Sequence, residues 1–136
     1  MKNIDLFETY TAAIFARLYE AFPLPCALDA QQISDCPGID EFGAMQKPAE
    51  ICRATMGWLA DSGYIRAAGA TQYAMTGAVL TAKGLEALKA TPEALSGKTP
   101  VGERIAQLVA TGSMDLAREA ARVAISSAVK LFLQGG

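Results

Sequence analysis

Apolar residues recur every three or four positions along several stretches of the chain, which is the spacing of a helix face. The first stretch runs from Asn3 to Phe22, with Asn3 as the predicted N-cap and Pro23-Leu-Pro25 ending the helix. A second helix is predicted to begin at Pro48 and to end before Gly63. Its predicted core-facing residues are Ile51, Cys52, Thr55, Met56, Leu59 and Ser62. These stretches predict a mainly helical fold.

The segment between these two helices lacks a long apolar period. Cys26-Ala-Leu28 is apolar and long enough for one brief strand, and Asp29 is suited to cap a short helix through Ile33. From Cys36 to Lys47 the chain contains two glycines, a proline and an aspartate that favour turns. We therefore predict that Cys36 to Lys47 is mainly loop.

A small β-hairpin is predicted after Gly63. Tyr64 to Ala67 has the composition of a strand, Gly69 to Thr71 is predicted to turn the chain, and Tyr73 to Val79 alternates as a return strand. Thr81 is suited to cap the next helix, which is predicted to reach about Ala90. Leu80 is expected to pack on Leu85 and fix the start of that helix.

Two segments in this region resemble bacterial winged helix-turn-helix proteins. They are Leu59-Ala-Asp-Ser-Gly63-Tyr-Ile65, where a helix ends at a glycine and leads into a hairpin, and Leu80-Thr81-Ala-Lys83-Gly84-Leu-Glu-Ala-Leu88, where the return strand enters a helix. The resemblance covers roughly Leu6 to Ala90. It implies a winged helix-turn-helix domain in which the helix ending at Gly63 is the recognition helix and the hairpin is the wing. The pattern indicates a fold and says little about function.

The remainder of the chain predicts a two-helix C-terminal extension. We divide the chain into a winged-helix domain at 1–90, a connector at 91–98 and a helical extension at 99–136. The last helix, from Ser113 to about Gln134, is apolar around most of its circumference, which is typical of a buried helix. We therefore expect a homodimer through this helix, with interface residues Ile125, Val129 and Phe132.

Composition argues against most catalytic chemistry. The 136 residues include no histidine and three cysteines without a Cys-x-x-Cys pair, so we predict no metal site, no cofactor and no enzyme activity. Reduced, buried thiols are expected at Cys26 and Cys52, and Cys36 in the predicted loop is the candidate for a redox-sensing thiol. With no signal-peptide pattern and no apolar run long enough to span a bilayer, we expect a cytoplasmic protein.

Two functions remain open at the sequence level. The first is regulatory binding of double-stranded DNA, with Lys47, Arg53, Arg66 and Lys83 as the candidate contacts. However, the net charge is −2, and the predicted hairpin from Gly69 to Gly77 contains no basic residue. The alternative is a winged-helix module that binds another protein, with Trp58 as a partly exposed anchor. A continuous positive stripe would favour DNA, and an uncharged or acidic helix face would favour a protein.

Overall fold

The computed structural model describes residues 1–91 and 99–135, and it describes side chains as far as Ser126. The predicted connector lies almost wholly outside these residues, and the predicted interface residues Val129 and Phe132 lie outside the described side chains. Six helices are described: α1 (Asn3–Ala21), α2 (Ala30–Ser34), α3 (Lys47–Asp61), α4 (Ala82–Lys89), α5 (Val101–Ala110) and α6 (Met114–Gly135). Four short strands accompany them: β1 (Cys26–Asp29), β2 (Ile65–Arg66), β3 (Gly69–Ala70) and β4 (Ala74–Leu80). The prediction of a mainly helical fold with a small β component is confirmed.

Strand β4 is the centre of a small antiparallel sheet. It pairs with β1, with β2 and with β3, and the register aligns Ile65 with Leu80 and Gly69 with Thr76. The prediction that Gly69 to Thr71 turns the chain is therefore wrong in part, because Gly69 and Ala70 belong to a strand. The turn comes later, where the amide of Thr71 donates to the carbonyl of Ala74 at 2.8 Å.

The predicted alternation of buried and exposed residues along the return strand, which is β4 in the structure, breaks at Gly77. This residue has φ +61°, and the register between β1 and β4 shifts at this point, as in a β-bulge. After the bulge, three consecutive residues from Ala78 to Leu80 are buried. Ala78 and Leu80 belong to the hydrophobic core, and Val79 between them is buried outside that cluster, where simple alternation predicts exposure of every second residue.

Helix α1 is the centre of the hydrophobic core. It packs against α3, α5 and α6, and its residues Ile14, Phe15 and Leu18 are fully buried. The described part of α6 joins the same core through small side chains at Ala117, Ala120, Ala121 and Ala124. The first turns of the apolar C-terminal helix are thus covered by the chain's own core. Within the described residues, none of the helices has the length and hydropathy needed to cross a membrane.

Several predicted helix ends are confirmed by their hydrogen bonds. Asp29 accepts from the amides of Gln31 and Gln32 at 2.9 and 3.0 Å, and the Thr81 hydroxyl accepts from the amide of Gly84 at 3.1 Å. Gly63 has φ +84°, the left-handed conformation that glycine adopts at low cost. The predicted N-cap of α1 is wrong by one residue. Lys2 is the N-cap, and its amide donates to Asp5 Oδ2 at 3.0 Å.

Candidate functional site

The connection between α2 and α3 is longer than the three- or four-residue turn of a helix-turn-helix motif. It runs from Asp35 to Gln46 and contains an isolated bridge between Ile39 and Met45. Asp40 organises its tip by accepting from the amides of Phe42 and Ala44, and the Tyr73 hydroxyl donates to the carbonyl of Gly43. The Phe42 side chain at the tip is 87% exposed. The loop that precedes α3 is therefore acidic, and its tip carries an exposed apolar side chain.

The candidate DNA contacts are found in different structural settings. Lys47 is exposed at the first residue of α3, and Arg66 is exposed on β2. Arg53 is half-buried, and its Nε donates to the carbonyl of Thr71 at 3.0 Å, which links α3 to the hairpin turn. Arg53 therefore has a role in holding the hairpin against α3.

Lys83 stabilises the opposite end of α3. Its Nζ donates to the carbonyl of Ser62 at 2.8 Å and lies 4.4 Å from the centre of the Tyr64 ring. A cation at this position satisfies a terminal carbonyl and opposes the negative end of the helix dipole. Ser62 follows Lys47 by fifteen positions, which is about 22 Å along the axis of α3. Lys47 and the Lys83 ammonium group therefore lie at opposite ends of this helix.

The outward face of α3 has no excess of positive charge. Its exposed residues are Lys47, Glu50, Ala54, Trp58 and Asp61. Two acidic groups thus face solvent with one lysine, and the half-buried Arg53 brings the total to neutral. This is the uncharged helix face that favours a protein partner over DNA.

Trp58 is the aromatic centre of that face. The Trp58 and Phe7 rings pack edge to face with their centroids 5.2 Å apart, and the Trp58 ring stacks on Tyr64 with a centroid separation of 6.1 Å. Even so, 44% of Trp58 remains exposed. The Trp58 ring thus packs on the first helix, and the residue also presents a surface to solvent.

An apolar groove, here called the α1–α3 groove, opens beside Trp58 with a volume of about 510 Å³. It is lined by Asn3, Ile4, Phe7, Ile51, Ala54, Thr55 and Trp58. Ile4 is 57% exposed at its rim. On α3, Lys47, Ile51, Ala54 and Trp58 follow one another at steps of four, three and four, so the lysine lies at the end of the same stripe.

A smaller cavity, here called the α1–α6 cavity, adjoins the groove and shares Ile4, Phe7 and Trp58 with it. Its volume is about 190 Å³, and α6 contributes Ala121, Arg122, Ile125 and Ser126. In its lining, Arg122 Nε and Glu8 Oε2 form an ion pair at 2.6 Å. Ile125, predicted as an interface residue, is half-buried here, and its carbonyl accepts from the Tyr64 hydroxyl at 3.3 Å.

Sequence reasoning did not identify the α1–α6 cavity. One signal was present: Ile4, Phe7, Thr11, Ile14 and Leu18 follow a single helix face, and Thr11 is its polar member. What the sequence does not contain is the packing of α6 onto α1 more than 100 residues away, which closes the cavity.

The prediction of a buried thiol is confirmed for Cys52 and is wrong for Cys26, which is half-buried like Cys36. Cys52 is fully buried, and burial raises its pKa to about 12, while burial also raises the pKa of the half-buried Cys26. Cys36 is half-buried in the loop, with its Sγ 3.3 Å from Gln46 Oε1. Across the described residues, no group of three or more potential ligands is placed to hold a metal ion.

No family model, curated protein or solved structure matches the chain.

Proposed function

We propose that the chain is a winged-helix domain with a helical extension, and that it acts as a non-enzymatic module that binds another protein. The winged-helix assignment is supported by the element order, in which α1, β1, α2 and α3 precede the antiparallel strands β2 to β4. It is also supported by the glycine exit of α3 and the Thr81 cap of α4. In this assignment α3 is the recognition helix, and the turn between β3 and β4 is the tip of the wing.

The observation that carries the functional proposal is the composition of the outward face of α3. Where a DNA-binding protein needs cations to neutralise phosphates, this face presents Ala54 and Trp58 between the acidic Glu50 and Asp61. Exposed tryptophan beside an apolar groove is a common anchor for protein recognition. The α1–α3 groove is therefore the proposed binding surface.

The partner is an amphipathic segment of another protein. The groove is lined mainly by aliphatic and aromatic side chains, so the segment carries a large apolar anchor that packs on Trp58 and Ile4. Lys47 lies at one end of the same stripe, and an acidic residue of the segment pairs with it there. The groove is open and shallow enough for one helical turn or a short extended peptide, as in helix-in-groove recognition.

Selection from a displayed random-peptide library tests this proposal. We expect the recovered peptides to share an aromatic or large aliphatic residue near an acidic one, and to shift the emission of Trp58 on binding. Ala54→Glu places a charge inside the groove on an exposed helix position, and we expect it to weaken binding at least tenfold. Ala82→Glu is the matched control, because Ala82 is also an exposed helical alanine but lies on α4, away from the groove.

Equal binding of the selected peptides to wild type and to Ala54→Glu would contradict the proposal. DNA binding is the competing function, and the exposed positions of Lys47 and Arg66 are what favour it. It predicts an affinity for duplexes that Lys47→Ala lowers for all sequences and that Arg53→Ala lowers at a preferred site.

We also propose that the chain forms a homodimer, but fewer residues of α6 are left to form its interface than the sequence indicates. Ala117, Ala120, Ala121 and Ala124 of α6 pack inside the chain's own core. The expectation therefore rests on the apolar sequence beyond Ser126, including Val129 and Phe132.

A further inference from the structure

We propose that, in the homodimer, the α1–α3 groove of one copy of the chain holds the loop tip of the second copy. The loop tip is defined here as Asp40 to Ala44 of the connection between α2 and α3, and it carries Glu41 and Phe42. This inference rests on the proposed function, because it uses the same groove, and it names the occupant that a segment of another protein must displace. The juxtaposition that carries it is an exposed apolar anchor, an apolar groove and opposite charges beside the two.

Phe42 is a large apolar side chain with little cover from its own chain. With 87% of the residue exposed, it is the most exposed large hydrophobic residue that the structure describes. Single apolar residues on a surface are common, but this one is held by an ordered loop tip. Asp40 Oδ1 accepts from the amides of Phe42 and Ala44 at 2.8 and 2.9 Å. Because the anchor is already ordered, it loses less conformational entropy on binding than a flexible segment would.

The α1–α3 groove offers the surface that such an anchor needs. Its lining is mainly aliphatic and aromatic, and Ile4 and Trp58 in that lining remain 57% and 44% exposed. Its volume of about 510 Å³ exceeds the roughly 150 Å³ of an apolar cavity that accepts benzene, so a phenyl group fits. Packing Phe42 against Ile4 and Trp58 therefore removes three exposed apolar side chains from water at once.

The charges of the loop and of the groove are complementary. From Asp35 to Gln46 the loop has three acidic residues and no basic one, whereas Lys47 lies at one end of the groove. Within the described residues, neither Glu41 nor Lys47 forms an ion pair. Ile51 in the groove lies about 6 Å from Lys47 along the helix axis. Because Glu41 and Phe42 are adjacent, the loop tip can place its carboxylate on the lysine and its ring in the groove.

A second copy bound through α6 lies next to this groove. Ile125 and Ser126 line the α1–α6 cavity, which adjoins the groove, and the proposed dimer contact follows Ser126 along the same helix. Each copy has both a loop tip and a groove, so a two-fold dimer forms two equal contacts. The loop tip and the end of α6 thus contribute to one interface.

Sedimentation equilibrium of the full chain measures the dimer dissociation constant. We expect Phe42→Ala to raise this constant about tenfold or more, as truncation of a central interface anchor does. Because Phe42 is exposed, this change leaves the core intact. Leu24→Ala is the matched control, since Leu24 is 70% exposed but lies in the turn after α1, outside the groove lining. Its dissociation constant should equal that of wild type.

A mixture of two variants tests whether the loop tip meets the groove. Phe42→Ala keeps its groove and Ala54→Glu keeps its loop tip, so a mixed dimer regains one of the two contacts. We expect it to be tighter than the dimer of either variant alone and weaker than wild type. Charge reversal follows the same logic: Glu41→Lys and Lys47→Glu should each weaken the dimer about twofold to fivefold, and the double variant should recover most of the affinity.

Four results would overturn the inference: a monomeric wild type, an unchanged dissociation constant in Phe42→Ala, an equal rise in Leu24→Ala, or a mixed dimer no tighter than its parents. The proposed function fails separately. Peptides from the library should bind Phe42→Ala at least as tightly as wild type, because no loop tip competes for its groove. Peptide binding together with a dimer that ignores Phe42→Ala overturns only the self-docking. A dimer that depends on Phe42 but binds no peptide contradicts only the proposed function.

Discussion

Gly84 of α4 lies against the backbone of Tyr64, just beyond the end of α3, and replacing it with alanine tests this close approach. A Cβ atom at this position would lie 2.1 Å from the carbonyl oxygen of Tyr64, whereas real Cβ contacts essentially never fall below 3.0 Å. The backbone must therefore move by about 0.9 Å, the difference between these two distances. Thr81 holds that same carbonyl with both its amide and its hydroxyl, each at 3.1 Å.

The magnitude follows from what the movement breaks. Losing these two hydrogen bonds costs about 1–3 kcal/mol in total. Alanine in a helix interior is favoured over glycine by about 1 kcal/mol, which offsets part of this cost. Taken at their midpoints, about 2 kcal/mol lost and about 1 kcal/mol gained, these terms predict that Gly84→Ala lowers the free energy of unfolding by about 1 kcal/mol and the melting temperature by about 4 °C.

Gly57 provides the matched control for this substitution. It is also a helical glycine, but a Cβ atom there would have as its nearest neighbour the Arg53 guanidinium nitrogen Nη1, at 3.7 Å. Gly57→Ala should therefore stabilise the protein by about 0.5–1 kcal/mol. Urea unfolding monitored by circular dichroism measures both variants. If Gly84→Ala proves as stable as wild type, the close approach of α4 to Tyr64 is wrong.

Three further predictions concern the thiols and the assembly state. The pKa of Cys52 is raised from 9.0 to about 12 in the folded chain, so its contribution to stability is constant below pH 9 and is lost between about pH 9 and 12. On raising the pH from 8 to 10, wild type should lose about 1.4 kcal/mol more than Cys52→Ala in urea unfolding, and equal losses would contradict the burial of this thiol. A thiol reagent at neutral pH should label Cys36 before Cys52, as mapped by mass spectrometry, and faster labelling of Cys52 would refute its position in the core. Light scattering at micromolar concentration should give twice the chain mass, and a monomer would exclude the homodimer.

Local signals predicted much of the fold. Pro48, Gly63, Thr81 and Asp29 begin or end helices through their own backbone conformation or through capping hydrogen bonds to residues at most three positions away. Such features depend on the nearby sequence and are therefore visible in it. The helix bounds of α1, α3 and α4 follow from these signals together with the apolar period.

Features that depend on residues far apart in the sequence were harder to predict from it. Gly69 is a residue type that favours turns, but in the structure it pairs with Thr76 between β3 and β4. The bulge at Gly77 likewise depends on the pairing of β4 with β1. Lys83 has the charge expected of a phosphate contact, yet its carbonyl partner, Ser62, lies 21 residues away in the sequence. The α1–α6 cavity is the extreme case, because Thr11 and Ala121 meet only after the whole core has assembled.

If the outward face of α3 binds a protein and not DNA, a salt titration with duplex DNA distinguishes the two functions. A labelled random-sequence duplex is titrated with the full chain by fluorescence anisotropy between 50 and 200 mM salt. Phosphate contacts make the logarithm of the affinity fall linearly with the logarithm of the salt concentration, with a slope near the number of phosphates neutralised. We expect no saturable binding at any of these concentrations. A saturable affinity that falls steeply with salt, and that Lys47→Ala and Arg66→Ala reduce, would contradict it.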